Sequence, residues 1–262
     1  MKELGGVDLV TMANNHTLDR GEQAIRNAIN HYEKIGMDYT GSFKSEEDKK
    51  RIRVINTDEG ISIAFLSYTY GTNGMTIPPG KEYLVNLINR TQIKADVAKA
   101  QDMADAIIVS YHFGEEYQPL PNQQQKELVQ YSADLGVDVI IGHHPHVLQP
   151  IEWVEGKNGN QTLVAYSLGN FVSGQYELYQ RTGGIFEFKI SKESKDKTKI
   201  TVHSPDFLPT FVSFERSGES LKNVAVVPLK EIDTQQLPNR SSYLEEIRQH
   251  LSQNIEDLEF IE

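Results

Sequence analysis

Residues 137–149, with the sequence VDVIIGHHPHVLQ, combine a short apolar run with three histidines in four positions. An apolar run of this length between turn residues is typical of a strand that is buried on both faces of a sheet. Ligands of open α/β sheets bind where strands end at their carboxyl side. The segment therefore predicts both a central strand and, directly after it, a binding site.

The rest of the chain alternates similar apolar runs with helical patterns, which predicts an α/β fold. Strands are predicted at 7–12, 51–57, 61–68, 105–111, 137–141, 162–168, 184–190, 200–203 and 224–227. Helices are predicted at 21–34, 91–104, 121–135 and 241–252, a loop at 69–80, and a charged hairpin tip at 191–199. No repeat or linker interrupts residues 1–262, so we expect a single domain with a mixed sheet, or two packed sheets, flanked by helices.

Composition excludes several classes of function. The 262 residues have a formal net charge of −11 and a mean hydropathy of −0.47. The negative charge argues against a nucleic-acid partner, although a bound cation would still allow an anionic substrate. Cysteine is absent, so a metal would be held by His, Asn and carboxylate side chains. The sequence shows no signal peptide and no apolar run of the roughly 20 residues that a membrane span needs.

Three more polar clusters follow predicted strands. Asn14-Asn15-His16 follows the first strand, His112 follows the strand at 105–111, and Ser167-Leu168-Gly169-Asn170 follows the strand at 162–166. Five of the eight histidines lie in these clusters or in the one at 143–146. No G-x-S-x-G elbow, cysteine nucleophile or phosphate-binding loop competes with them.

The histidine cluster itself favours metal binding over a structural or merely exposed role. Pro145 should push His144 into an extended conformation. Residues two apart on extended chain point the same way, so His144 and His146 would face one or two cations while His143 points elsewhere.

Adjacent residues on extended chain point in opposite directions, so Asn15 could bind a metal while His16 faces substrate. An Asn offers a carbonyl oxygen, and a His offers either a ligand or a general acid. The alternative is a turn that precedes the helix near Gly21, with Asp19 as its N-cap. The dipeptide alone does not separate the two, but the neighbouring clusters favour the functional interpretation.

The remaining candidates are less specific. A lone histidine such as His112 is more often a core residue. Glu115 and Glu116 could orient an imidazole, although solvated loop charges are the more common case. Asn170 could bind substrate or close a turn after Gly169.

Four motifs resemble, in order and spacing, the signatures of the CapA capsule-synthesis family: ANNHTLD at 13–19, HFGEEY at 112–117, GHHPHVLQ at 142–149 and YSLGNFV at 166–172. The resemblance covers most of residues 1–215. It implies a four-layer α-β-β-α sandwich of the metallophosphoesterase type and hydrolysis at two divalent metals, here Mn, Fe or Zn. The implied role is synthesis or export of a poly-γ-glutamate capsule by an extracytoplasmic, membrane-tethered protein.

The resemblance also implies roles for individual residues. His16 would be the catalytic acid or an anion-binding group, and the metal ligands would be Asn15, His112, His144 and His146. The first three would share one metal and His146 would serve the other, with His144 favoured over His143 by the spacing. Substrate or supporting contacts would come from His143, Asn170, Glu116 and Asp19.

Family members begin with a strand, a Gly-Asp motif and a later acidic residue, and this sequence starts after them. We therefore expect a domain that is incomplete at its N-terminus, binds one metal well at most and is catalytically poor. An exposed sheet edge would favour a homodimer. Three functions stay open: a metal-dependent hydrolase-like protein of capsule biosynthesis, an accessory module that binds anionic polymer or synthase subunits, and a generic metallophosphoesterase.

Overall fold

The computed structural model describes residues 6–193, 200–218 and 220–261. Its helices are α1 (Gly21–Ile35), α2 (Glu46–Lys49), α3 (Arg90–Gln101), α4 (Gln123–Asp134) and α5 (Arg240–Leu251). Its strands are β1 (Leu9–Thr11), β2 (Asp38–Thr40), β3 (Arg53–Asn56), β4 (Ser62–Thr69), β5 (Ala106–His112), β6 (Val139–His143), β7 (Leu148–Glu155), β8 (Gln161–Leu168), β9 (Thr182–Lys192), β10 (Ile200–Ser217), β11 (Ser220–Pro228) and β12 (Glu259–Phe260). Within the described residues, every helix is too short or too polar to traverse a bilayer.

A six-stranded sheet in the order β3-β4-β5-β6-β8-β7 forms the centre of the molecule. The four inner strands are parallel, and the edge strands β3 and β7 are antiparallel to their neighbours. Strands β5 and β6 are largely buried, as expected of strands covered on both faces. Their register pairs His112 with His143, so both strands end at the same edge of the sheet.

Helices α3 and α4 cover one face of this sheet. Ile93 and Val97 of α3 and Leu128 of α4 join a buried cluster with Val109 and Ile140 of the inner strands. Helix α4 starts with a capping box, in which the Asn122 side chain accepts from the backbone N–H three residues on and the Gln125 side chain accepts from the backbone N–H of Asn122. The box satisfies two backbone N–H groups at the start of the helix.

A second sheet, formed by β9, β10, β11 and β12, covers the other face together with α5. Phe207 and Phe211 of β10 and Ile247 of α5 pack with Ile151 and Leu163 of the central sheet. The molecule thus has helices on one side, two packed sheets, and a further helix beside the second sheet. This agrees with the α/β fold of two sheets and flanking helices that the sequence predicts.

The N-terminal region forms its own small unit beside the sheets. Strands β1 and β2 pair in parallel, and Ile25 and Ile29 of α1 pack with Tyr39 and Leu84. Helix α1 ends at Gly36, whose φ of 66° provides the left-handed C-cap. This unit carries the turn that contains Asn15 and His16.

Several boundaries differ from the prediction. Strand β7 was not predicted, because Pro150 interrupts its pattern, yet proline is compatible with an edge strand. Strand β10 is one long strand with an irregularity between His203 and Asp206. The sequence predicts only its first four residues, 200–203. Helix α4 begins at Gln123 rather than at Pro121. The predicted hairpin tip at 191–199 falls largely outside the described residues.

Candidate metal centre

Polar residues that follow β1, β5 and β6 meet at one edge of the central sheet. His112 ends β5, and its Nε2 lies 2.9 Å from the Asn15 side-chain oxygen. The ring of His144, two residues past Gly142 of β6, lies 4.9 Å from that of His112. The Asn15 amide nitrogen donates in turn to the Asn73 side-chain oxygen at 3.1 Å, which fixes the orientation of the amide. Side chains about a hundred residues apart thus form one cluster.

Glu116, His144 and His146 form the group best arranged to hold a cation among the described residues. Each offers one ligand atom, and these atoms lie within 4.8 Å of one another. His144 is buried, with 7% of its surface exposed, and its Nδ1 has no hydrogen-bond partner. Two imidazoles and one carboxylate are a donor set that divalent transition metals commonly use. The sequence predicts a supporting or solvated role for Glu116. In the structure its carboxylate is close enough to both imidazoles to share a cation with them.

The backbone of the histidine loop differs from the prediction. His144 has a φ of 101° and His146 a φ of 60°, so neither is extended, and the expectation that Pro145 would hold His144 extended is wrong. The two side chains converge because the chain turns through left-handed conformations. Such conformations cost a non-glycine residue on the order of 1 kcal/mol or more, and they are concentrated at functional sites.

The Asn170 side chain fixes the orientation of the His146 ring by a hydrogen bond. The ring Nδ1 of His146 lies 2.8 Å from the Asn170 side-chain oxygen, and since that oxygen only accepts, the Nδ1–H donates. The Asn170 amide nitrogen donates to the Gln175 side chain and to the Gln180 carbonyl, both at 2.8 Å. The amide is thus fixed, and the Nε2 of His146 is the ring nitrogen that remains available to a metal.

His16 and Asp19 form a pair at the outer edge of the cluster. The His16 Nδ1 lies 2.7 Å from the Asp19 carboxylate, and 62% and 43% of the two side chains are exposed. Residues 14–20 form a turn before α1, as the alternative expects, but Asp19 is not its cap, since Arg20 occupies the N-cap position and makes no side-chain bond to the helix. The carboxylate orients the imidazole instead.

Burial favours the neutral form of three imidazoles, those of His112, His143 and His144. Burial, together with the neighbouring histidines, lowers the pKa of His112 to about 3. Burial also lowers the pKa of His144, although Glu116 opposes this effect. His143 lies outside the ligand group at the end of β6, and burial lowers its pKa to about 4. Neutral imidazole is the form that binds metals.

The sequence predicts no role for three residues of the site. The Tyr70 ring lies 4.6 Å from that of His144, and the Tyr117 ring lies 6.0 Å from that of His146. Asn73 accepts a hydrogen bond from Asn15, whereas the sequence predicts only that residues 69–80 form a loop. These contacts depend on how the loops after β4 and β5 fold back over the edge of the sheet. No local sequence pattern predicts that arrangement.

Gly114 lets the loop after β5 pass close to α4. Its φ is 96°, and a Cβ at this position would lie 2.7 Å from the Gln125 side chain. Gln125 is itself buried and donates to the Gln149 side chain at 2.9 Å. The packing of this loop on α4 positions Glu116 beside the histidines.

Two solved structures share this fold. The chain aligns with a putative 5'-nucleotidase from Staphylococcus aureus at a TM-score of 0.52 and 16% identity, over 92% of this chain and 42% of that one. It aligns with the sulfate thiohydrolase SoxB of Thermus thermophilus at a TM-score of 0.50 and 15% identity, over 95% and 38%. These likenesses place the fold among those of the metallophosphoesterase type.

Sequence comparison gives the family. The chain is 31% identical over 200 residues to the PGA biosynthesis protein CapA of Bacillus subtilis (strain 168), which covers 74% of this chain and 50% of that protein. It is 32% identical over 174 residues to the capsule biosynthesis protein CapA of Bacillus anthracis, which covers 65% and 41%. The chain thus spans half or less of the length of these relatives. Residues 2–175 match the family model for the bacterial capsule synthesis protein PGA_cap, and the chain belongs to that family.

Proposed function

We propose that this chain acts in the biosynthesis of a capsule polymer through a divalent cation bound by Glu116, His144 and His146. The observation that carries the proposal is the convergence of these three ligand atoms within 4.8 Å around a buried imidazole. A buried polar nitrogen without a partner costs roughly 1–3 kcal/mol, and a bound cation would satisfy it. The lone Nδ1 of His144 therefore fits a ligand site better than a structural role.

The donor set fits Mn, Fe or Zn, and it contains no thiolate that would favour a softer ion. We further propose Asn15 and His112 as ligands on the far side of His144, because the His112 and His144 rings lie 4.9 Å apart. Asn170 then serves as a positioning residue for His146, with which it shares a 2.8 Å hydrogen bond.

A divalent cation at this group would supply Lewis-acid polarisation of a phosphoryl or acyl oxygen. His16 supplies the proton chemistry. Its Nδ1 is bonded to the Asp19 carboxylate at 2.7 Å, so its Nε2 is the atom that exchanges a proton with a leaving group. The large exposed fraction of His16, 62%, leaves it accessible to a bulky substrate.

The names of the relatives point to the polymer. We propose that the substrate or ligand is an anionic chain such as poly-γ-glutamate, handled on the extracytoplasmic side together with capsule synthase subunits, and that residues 1–262 act as one domain. The chain carries a net charge of −11, so a polyanion needs a local positive charge to bind. The cation would provide that charge.

Elemental analysis of the purified protein tests the metal site. We expect about one equivalent of Mn, Fe or Zn in the wild type, a loss in the His144→Ala/His146→Ala double variant, and a reduced content in Glu116→Gln. His31→Ala is the matched control, because His31 is exposed on α1 and lies outside the cluster. The absence of bound metal after incubation with all three ions, or an equal loss in the control, would refute the site.

Turnover separates an enzyme from an accessory protein. Hydrolysis of a generic phosphoester that disappears in His144→Ala and falls in His16→Gln would support catalysis. Retention of poly-γ-glutamate that depends on metal but proceeds without turnover would assign the accessory role.

A further inference from the structure

A cavity of about 570 Å³ opens beside the metal centre, between the histidine loop and α5. Val147, Leu148 and Ile247 form its apolar part. Tyr117, Tyr179 and Tyr243 contribute aromatic rings, and those of Tyr179 and Tyr243 lie 5.8 Å apart at 67°. No residue proposed for metal binding lines it, so it forms a second site next to the first.

The cavity is lined by two carboxylates and one imidazole. These belong to Glu177, Glu246 and His250, and no Lys or Arg is among the described residues that line it. The Tyr179 hydroxyl donates to the Glu246 carboxylate at 2.8 Å, which keeps that carboxylate at the aromatic wall. Arg181 comes directly after Gln180, which lines the cavity. Its guanidinium instead lies over the ring of Phe211 in the second sheet, 4.4 Å from the ring centroid. The cavity therefore repels anions and attracts cations.

The cavity lies next to the metal centre. The Tyr117 ring, which lines it, lies 6.0 Å from the ring of His146. Gln180, a further lining residue, accepts at its carbonyl from the Asn170 amide, and Asn170 also binds His146. A molecule bound in the cavity would therefore have its other end close to Glu116, His144 and His146.

We propose that this cavity binds an organic ammonium group carried by the substrate, so that the amino end of the chain lies between the tyrosines while a following linkage faces the metal centre. Aromatic faces attract cations. The two carboxylates add to that attraction. The identity of the polymer rests on the proposed function, but the preference for an ammonium group does not.

Calorimetric titration of the full chain in the presence of EDTA tests the cavity without the metal. The probes are a γ-linked glutamate trimer with a free amino group and the same trimer acetylated at that group. We expect the free trimer to bind at least about tenfold more tightly, which corresponds to about 1.4 kcal/mol. The Glu177→Gln/Glu246→Gln double variant should lose this preference. Glu245→Gln should keep it, because Glu245 lies on the same helix but does not line the cavity.

Equal affinity for the two trimers, no binding of either at millimolar concentration, or the same loss in Glu245→Gln would overturn the proposal. Binding of a neutral oligosaccharide in place of the amine would do so as well, and it would assign the cavity to carbohydrate. Because the titration contains a chelator, a failure here is distinct from a failure of the metal site. Conversely, the protein could prefer the free trimer and yet bind no metal. That result would overturn the proposed metal site and leave the proposed ammonium site standing.

Discussion

Asp138 provides a test of the energetics at the start of β6. Its carboxylate accepts from the backbone N–H of Ile107 at 2.7 Å, and its own backbone N–H donates to the Ile107 carbonyl at 3.0 Å. Burial raises the pKa of this carboxyl to about 6, against an ordinary value of 3.8. Replacement by Asn keeps an acceptor oxygen for Ile107 and removes the charge.

The sign of the effect follows from proton binding. Between about pH 4 and pH 6 the folded state holds a proton at Asp138 that the unfolded state has already released, so the stability of the wild type falls as the pH rises through this window. A difference of about two pKa units corresponds to roughly 3 kcal/mol. We therefore expect Asp138→Asn to be more stable than the wild type by up to about 3 kcal/mol above pH 6, and nearly equal to it near pH 4.

Urea unfolding followed by circular dichroism, near pH 4 and near pH 7.5, measures this difference if both proteins unfold in two states. Asp102→Asn is the control, because it makes the same replacement at an exposed position. A stability difference for Asp138→Asn that is the same at both pH values, or a destabilised variant near pH 7.5, would refute the reasoning.

Three substitutions test other parts of the structure by their unfolding midpoints. Arg53→Met should cost about 3–5 kcal/mol, because Arg53 and Asp48 form an ion pair at 2.6 Å with 2% and 8% of their side chains exposed, and the carboxylate would stay buried and unpaired. Asn122→Ala should cost about 1 kcal/mol through loss of the capping box of α4. Gly114→Ala should cost about 2 kcal/mol from its left-handed φ, and should weaken metal binding in a competition assay because the loop that carries Glu116 must move.

Each of these expectations has an outcome that contradicts it. A cost below 1 kcal/mol for Arg53→Met would mean that water reaches Asp48 in the folded state. An unchanged stability in Asn122→Ala would mean that the first turn of α4 does not need its cap. Unaltered metal affinity in Gly114→Ala would separate the position of Glu116 from the packing of its loop.

The sequence predicts the centre of the fold well, for a physical reason. Strands β5 and β6 are covered on both faces, so they appear as uninterrupted apolar runs, and residues that follow parallel strands share one edge of the sheet. The structure indeed places Asn15, His112 and His144 in one cluster, while their roles as ligands stay predictions.

The sequence does not reveal features that depend on tertiary contacts. Strand β7 is an edge strand with a proline, so its pattern resembles a loop. The left-handed backbone at His144 and His146 has no signature in the residue types, and the rule for residues before proline favours the opposite conformation. Glu116 is next to a similar glutamate, and only the loop that passes Gln125 decides which of the two lies beside the histidines.

The left-handed backbone at positions 144 and 146 means that the sequence best suited to folding differs from the one suited to binding. Glycine at 144, where φ is 101°, or asparagine at 146, where φ is 60°, would relax strain on the order of 1 kcal/mol. A directed-evolution screen that selects on thermal stability alone should therefore enrich these replacements, and the variants it recovers should melt at a higher temperature while they lose the metal. Under the proposed metal site, a selection carried out with the cation present would let binding compensate for the strain of the loop.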